Sequence, residues 1–77
     1  MEMATPLDTE LNLFEEHRQE WSLTNRGKFK VIKGETILDE FFDEYADAFR
    51  AGLARFGTGR TFLVKQVWRT EPVYFIS

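Results

Sequence analysis

The segment KFKVIKGETILDEFF, residues 28–42, decides the fold that we predict for this chain. Residues 28–33 alternate between polar and apolar side chains and are rich in β-forming residues, so they predict a strand. Gly34-Glu35 indicates a tight turn, and residues 36–42 predict a second, less regular strand that ends near Phe41 or Phe42. Together they predict an antiparallel hairpin.

Helices are predicted on both sides of this hairpin. The first begins after Thr5-Pro6, an N-cap followed by a first-turn proline, and ends at residues 25–27. The second begins after Asp43 as N-cap and ends at Gly57, and its Gly52 predicts a close approach to the sheet. The apolar stripes comprise Leu7, Leu11, Phe14 and Trp21 in the first helix and Tyr45, Phe49, Gly52 and Phe56 in the second.

The segment TFLVKQVWR, residues 61–69, predicts the strongest strand of the chain. After a turn at Pro72, residues 73–76 predict a last short strand. The order α-β-β-α-β-β indicates an α+β fold: a small antiparallel sheet of three or four strands with two helices packed on one face. Residues 1–77 form a single domain in this prediction, and residues 1–5 are expected to be frayed.

Composition excludes several classes of protein. The chain has 77 residues, of which 43% are hydrophobic and 16% aromatic, which is not typical of a disordered segment. It has no cysteine, which excludes disulfide frameworks, thiolate metal sites and cysteine nucleophiles. No apolar run approaches the roughly 20 residues that span a bilayer, and the N-terminus has no signal-peptide pattern. We therefore expect a cytoplasmic protein without membrane association.

Positive charge is concentrated on the predicted strands. Residues 25–34 carry four bases and no acid, and residues 60–77 carry three bases and one acid. Alternation places Lys28, Lys30, Lys65 and Arg69 on one sheet face, opposite Phe29 and Phe62. That face has three interpretations: a solvated surface, a protein-binding or self-association surface, or a platform for nucleic acid.

Two residues of the first helix are candidate anchors for a partner. Arg18 interrupts the apolar stripe one helical step from Trp21, and arginine and tryptophan are enriched in binding hot spots. The alternative is an arginine that reaches the edge of the core, stacks on Trp21 or pairs with a carboxylate such as that of Asp39 or Glu40.

Nothing in the sequence indicates a catalytic, cofactor or metal site. His17 is the single histidine, and no nucleophile can be paired with it. The segment GTGR, residues 57–60, follows a helix and so differs from phosphate-binding loops, which precede one. The remaining candidates are the carboxylates of Asp39, Glu40, Asp43, Glu44 and Asp47, which we interpret as caps and solvated charges.

Several segments together resemble a family of small bacterial stand-alone proteins of unknown function. These are FEEHRQEW (14–21), GKF (27–29), VIKG (31–34), FFD (41–43), RFG (55–57) and FLVKQV (62–67). The resemblance covers most of residues 14–67. This chain has Glu40 where the family pattern has glycine before the two phenylalanines, so residues 38–40 are expected to bulge. The resemblance implies a stand-alone domain and no particular reaction.

The function we expect is a non-enzymatic protein-interaction module, either a homodimer or an accessory subunit. Its expected contact residues are the four basic residues above together with Val73 and Phe75, because an apolar edge strand is a template for pairing with another chain. The alternative is a nucleic-acid-binding regulator that uses the basic face. A third hypothesis, a ligand binder or small enzyme around His17, requires a pocket.

Overall fold

A computed structural model describes residues 7–69 of the chain. Within them the order is α-β-β-α-β, which confirms the α+β class and the order predicted for this part. The elements are α1 (Asp8–Thr24), β1 (Phe29–Lys33), β2 (Thr36–Ile37), α2 (Tyr45–Phe56) and β3 (Leu63–Gln66). The predicted Thr5 cap, the frayed residues 1–5 and the last strand at residues 73–76 lie outside the described residues.

The sheet has three antiparallel strands in the order β2-β1-β3, so β1 is central. Ile32 pairs with Ile37 on one side and with Leu63 on the other. Backbone hydrogen bonds continue the pairing of β1 with β3 past Gln66, since Val67 N–H donates to Lys28 O at 2.7 Å. The hairpin at residues 28–42 is therefore present, and its first strand organises the sheet.

The second strand is much shorter than predicted. Leu38 N–H still donates to Val31 O at 3.0 Å, and the chain then leaves the sheet. It returns at Phe42, where two backbone hydrogen bonds of 2.7 and 3.0 Å join it to Phe29. If the register of Ile32 with Ile37 continued, Phe29 would pair with residue 40. It pairs with Phe42, so the second strand contains two extra residues between these two pairs. Residues 39–41 form this bulge, one position later than the residues 38–40 expected from the departure at Glu40.

The helices lie on opposite faces of the sheet, so the prediction that both pack on one face is wrong. Under α1, Phe14 forms a core with Ile32, Leu63 and Val67. On the other face, the Phe29 ring lies 5.9 Å from that of Tyr45 in α2. The physical reason is that β1 buries three consecutive residues, 30–32, and a strand buried on both faces needs a covering layer on each.

Each helix turns one stripe toward the sheet. α1 buries four residues at helical spacing: Glu10, Phe14, Arg18 and Ser22. α2 buries Ala48 and Gly52, and a Cβ atom on Gly52 would lie 2.2 Å from the Phe62 ring. The predicted close approach at Gly52 is confirmed.

The predicted C-terminal end of α2 is confirmed, whereas its predicted N-cap is wrong. Gly57 is the C-cap with φ of +88°, as predicted, because glycine adopts this conformation without strain. At the other end Glu44 is the N-cap residue, and no side-chain cap hydrogen bond forms. The prediction of Asp43 as the cap is wrong, since its carboxylate pairs with Lys28.

Candidate functional site

The basic sheet face expected from the sequence is covered by α1. Lys30 is 3% exposed, and its ammonium lies 5.4 Å from the centre of the Trp21 ring. Lys65 is half-buried, with its ammonium 5.5 Å from the Phe14 ring. The expectation that both lysines lie on an open surface is therefore wrong, because Ile32, Leu63 and Val67 on the same sheet face form the core under α1.

The other predicted contact residues lie apart from this covered face. Lys28 is half-buried and pairs with Asp43 across the sheet end, and Arg69 is exposed. Partner binding by these two residues stays a prediction. Val73 and Phe75 lie outside the described residues.

Arg18 is a buried link between α1 and the end of β3. It is 8% exposed, and its guanidinium donates to the Trp68 carbonyl at 2.9 Å. The carboxylate it reaches is that of Glu15, one turn earlier on the same helix, at 2.8 Å from Nε. Its guanidinium carbon lies 5.1 Å from the centre of the Phe14 ring. A partner anchor must be exposed, whereas Arg18 is buried and joins α1 to the end of β3.

Lys30 lies in an aromatic enclosure beside the bulge. Its ammonium lies 3.9 Å from the centre of the Phe41 ring and donates to the carbonyl oxygens of Asp39 at 2.9 Å and Glu40 at 3.4 Å. Burial lowers the pKa of the Lys30 ammonium below its ordinary value of 10.5, and the negative charges of Asp39 and Glu40 offset part of that decrease. A lysine with a lowered pKa at a cleft is a candidate functional group.

A cleft opens above this lysine, with a volume of about 460 Å³. We call it the Lys30 cleft. At its rim the imidazole of His17 stacks on the indole of Trp21 at 4.9 Å, and His17 Nδ1 lies 3.3 Å from the Glu20 carboxylate. The lining residues are His17, Glu20, Trp21, Thr24, Asn25, Lys30, Ile37, Asp39 and Phe41. The pocket that the third hypothesis requires is therefore present beside His17.

A second surface runs along one side of α2. The rings of Tyr45 and Phe49 stack at 6.2 Å with an interplanar angle of 8°, although 54% and 42% of these residues are exposed. Phe62 continues the row, with ring centres 5.7 Å from Phe49 and 5.9 Å from Phe56. We call the solvent-facing side formed by Tyr45, Phe49, Leu53 and Phe56 the α2 face. The sequence predicted an apolar stripe of Tyr45, Phe49, Gly52 and Phe56 on this helix but not the exposure of Tyr45 and Phe49.

The acidic residues near the start of α2 are dispersed. Asp43 pairs with Lys28, and Asp47 pairs with Arg50 at 2.9 Å. Among residues 7–69, no three side chains of histidine or acidic residues come together as metal ligands. Neither helix in that part of the chain has the length and apolar character to cross a membrane.

Comparisons with known proteins give no match: no family model, no curated protein and no solved structure resembles the chain closely enough to be significant. The resemblance to small bacterial proteins stays a prediction. Any functional conclusion must therefore come from the two surfaces described above.

Proposed function

We propose that this protein is a non-enzymatic interaction module of the cytoplasm that forms a homodimer through the α2 face. The observation that carries the proposal is the stacked and half-exposed pair of Tyr45 and Phe49. Covering the exposed half of an aromatic side chain recovers roughly 1 kcal/mol, about half the value for full burial.

The charge distribution along α2 favours a second copy as the occupant. Glu44 and Asp47 lie at its N-terminal end, Arg50 lies near its middle and pairs with Asp47, and Arg55 lies in its last turn. In a twofold-symmetric pair the two α2 helices run antiparallel, which places the acidic end of each beside the basic end of the other. Opposed helix dipoles favour the same arrangement. The two ends of the helix are thus complementary in charge, through Glu44 and Arg55, while the α2 face itself is apolar.

The size of α2 sets the expected affinity. A helix of 12 residues is about 18 Å long, so a pair of such helices buries less area than a standard stable interface. We expect a dissociation constant on the order of 10 µM, in the range of weak and exchanging contacts. The nucleic-acid alternative has less support, because two of the four basic residues that it requires, Lys30 and Lys65, lie beneath α1.

Sedimentation velocity over a dilution series tests the proposal. The native chain is expected to shift from dimer to monomer on dilution, and Phe49→Lys is expected to stay monomeric at every concentration. Leu23→Lys is the matched control, because Leu23 is a 78% exposed apolar residue on α1, away from the α2 face. It should leave the association unchanged.

Two results would overturn the proposal. A native chain that is monomeric at every concentration would exclude the homodimer. An unchanged dimer in Phe49→Lys would place the interface elsewhere. Because Phe49 also touches Phe62, circular dichroism must show that the variant is folded, and Arg55→Glu serves as a second variant that alters only an exposed charge. It should weaken the dimer by bringing like charges together.

A further inference from the structure

The Lys30 cleft has features that the homodimer does not use. Its floor is a primary amine, and its apolar walls are Trp21, Ile37 and Phe41. Its volume of about 460 Å³ lies within the range of small-molecule sites, which combine apolar walls with a few polar groups. The α2 face lies on the other side of the sheet, so this site is independent of the dimer.

The hydrogen bonds of Lys30 hold the bulge in place, which is a separate role from ligand binding in the cleft. Its ammonium holds the bulge to the sheet by donating to the carbonyls of Asp39 and Glu40, at 2.9 and 3.4 Å. The longer of these is weak, and both acceptors belong to residues 38–41, which lie outside the regular strands. Reaction of Nζ with a ligand therefore requires release of these two carbonyl oxygens, neither of which belongs to a regular strand.

We propose that the Lys30 cleft binds a small aldehyde or ketone with an apolar or aromatic tail, and that Lys30 Nζ forms a reversible imine with its carbonyl carbon. The tail would lie against Trp21, Ile37 and Phe41. These three side chains favour an apolar group at that position. The class of ligand is thus a small apolar carbonyl compound.

The step balances without any other reactant. The neutral amine of Lys30 attacks the carbonyl carbon, a C–N bond forms, and the carbonyl oxygen takes up a proton as the nitrogen loses one. The resulting carbinolamine loses its hydroxyl group and the remaining N–H proton as one water molecule. The products are an imine and water, and nothing is oxidised or reduced.

Two features of the cleft favour this chemistry. Burial lowers the pKa of Lys30, so more of it is present as the neutral amine than of an exposed lysine at the same pH. The groups that face the cleft are His17 and Glu20 from α1 and Asp39 from the bulge, with Glu40 beside it. His17 and the carboxylates can carry protons between the carbinolamine and the solvent.

Reductive trapping tests the proposal. The folded chain is incubated with benzaldehyde and cyanoborohydride at neutral pH, and the adduct is counted by intact mass and located by peptide mapping. We expect the first adduct to form on Lys30, before any on Lys28 or Lys33. Lys30→Arg should lose the adduct completely, and the matched control Lys33→Arg should keep it.

The opposite labelling pattern would overturn the proposal. If Lys28 and Lys33 react while Lys30 stays unmodified, the cleft does not present the amine to a carbonyl compound. If Lys30→Arg is unfolded by circular dichroism, the native chain still decides the question through the position of its adduct. Repeating the trapping with the monomeric Phe49→Lys variant separates this site from the dimer, since the adduct should form there equally well.

Discussion

Gly52→Ala tests the packing of α2 on the sheet. A Cβ atom at this position would lie 2.2 Å from Cε1 and 2.5 Å from Cζ of Phe62, and real Cβ contacts essentially never fall below 3.0 Å. The Phe62 ring has little room to move, because it lies between the rings of Phe49 and Phe56. The helix or the ring must therefore shift.

The expected magnitude follows from two opposing effects. Replacing glycine by alanine inside a helix normally stabilises it by about 1 kcal/mol. Overpacking a well-filled contact costs roughly 1–3 kcal/mol. At a contact this short we take the upper part of that range, so the net effect is a loss of about 1–2 kcal/mol in the free energy of unfolding. That loss is large for a chain whose core supplies roughly 3–5 kcal/mol.

Urea denaturation followed by circular dichroism measures this change. Ala54→Gly, at an exposed position of the same helix, is the control for helix propensity and should lose about 1 kcal/mol. In a Phe62→Leu background the clash is relieved, so Gly52→Ala should there be neutral or stabilising. The reasoning is refuted if Gly52→Ala stabilises the chain by about 1 kcal/mol in both backgrounds, since α2 would then not rest on Phe62.

Three further predictions concern buried polar groups. Glu10→Ala removes the carboxylate that accepts the Gly34 N–H at 2.6 Å, so the chain should lose about 1–3 kcal/mol and the Gly34 amide should exchange faster, as measured by hydrogen exchange. Arg18→Met keeps the packing volume but removes the hydrogen bond to the Trp68 carbonyl, and urea denaturation should show a loss of about 1–3 kcal/mol; an unchanged midpoint would contradict the packing role. Burial lowers the pKa of Lys30 in the folded chain, so the unfolded chain binds more protons between that lowered pKa and the ordinary value of 10.5. The stability of the native chain relative to Lys30→Met should therefore rise as the pH increases through this interval, and urea titrations that show a constant or falling difference would contradict the lowered pKa.

Local patterns predicted much of the fold. The stripe through α2 indicated that Gly52 faces the sheet, and Gly57 marked the end of that helix, because both depend on residues within a few positions of each other. The shortened second strand was harder to predict, since residues 38–41 still contain apolar side chains. The bulge there was indicated only by the resemblance to other small proteins.

The placement of the helices and the Lys30 cleft could not be predicted from spacing. The alternation along β1 places Lys30 and Val31 on opposite faces of the sheet, but it does not predict that a helix covers each face. The positive charge of Lys30 suggested an exposed side, whereas the bulge supplies carbonyl acceptors that allow it to be buried. The cleft combines His17 and Trp21 with Phe41, and no local sequence period relates α1 to a bulge within the hairpin.

Disulfide cross-linking of single-cysteine variants tests the homodimer most directly. The chain has no cysteine of its own, so an introduced thiol is unique. Leu53→Cys lies on the α2 face in the second half of the helix. A twofold axis that passes beside it should bring the two Cα atoms within the roughly 4.4–6.8 Å typical of a disulfide. Ala54→Cys lies one residue further on, at an exposed position away from that face. Under mild oxidation we predict rapid dimer formation by Leu53→Cys and little by Ala54→Cys, whereas equal rates, or faster linking of Ala54→Cys, would contradict the proposed homodimer.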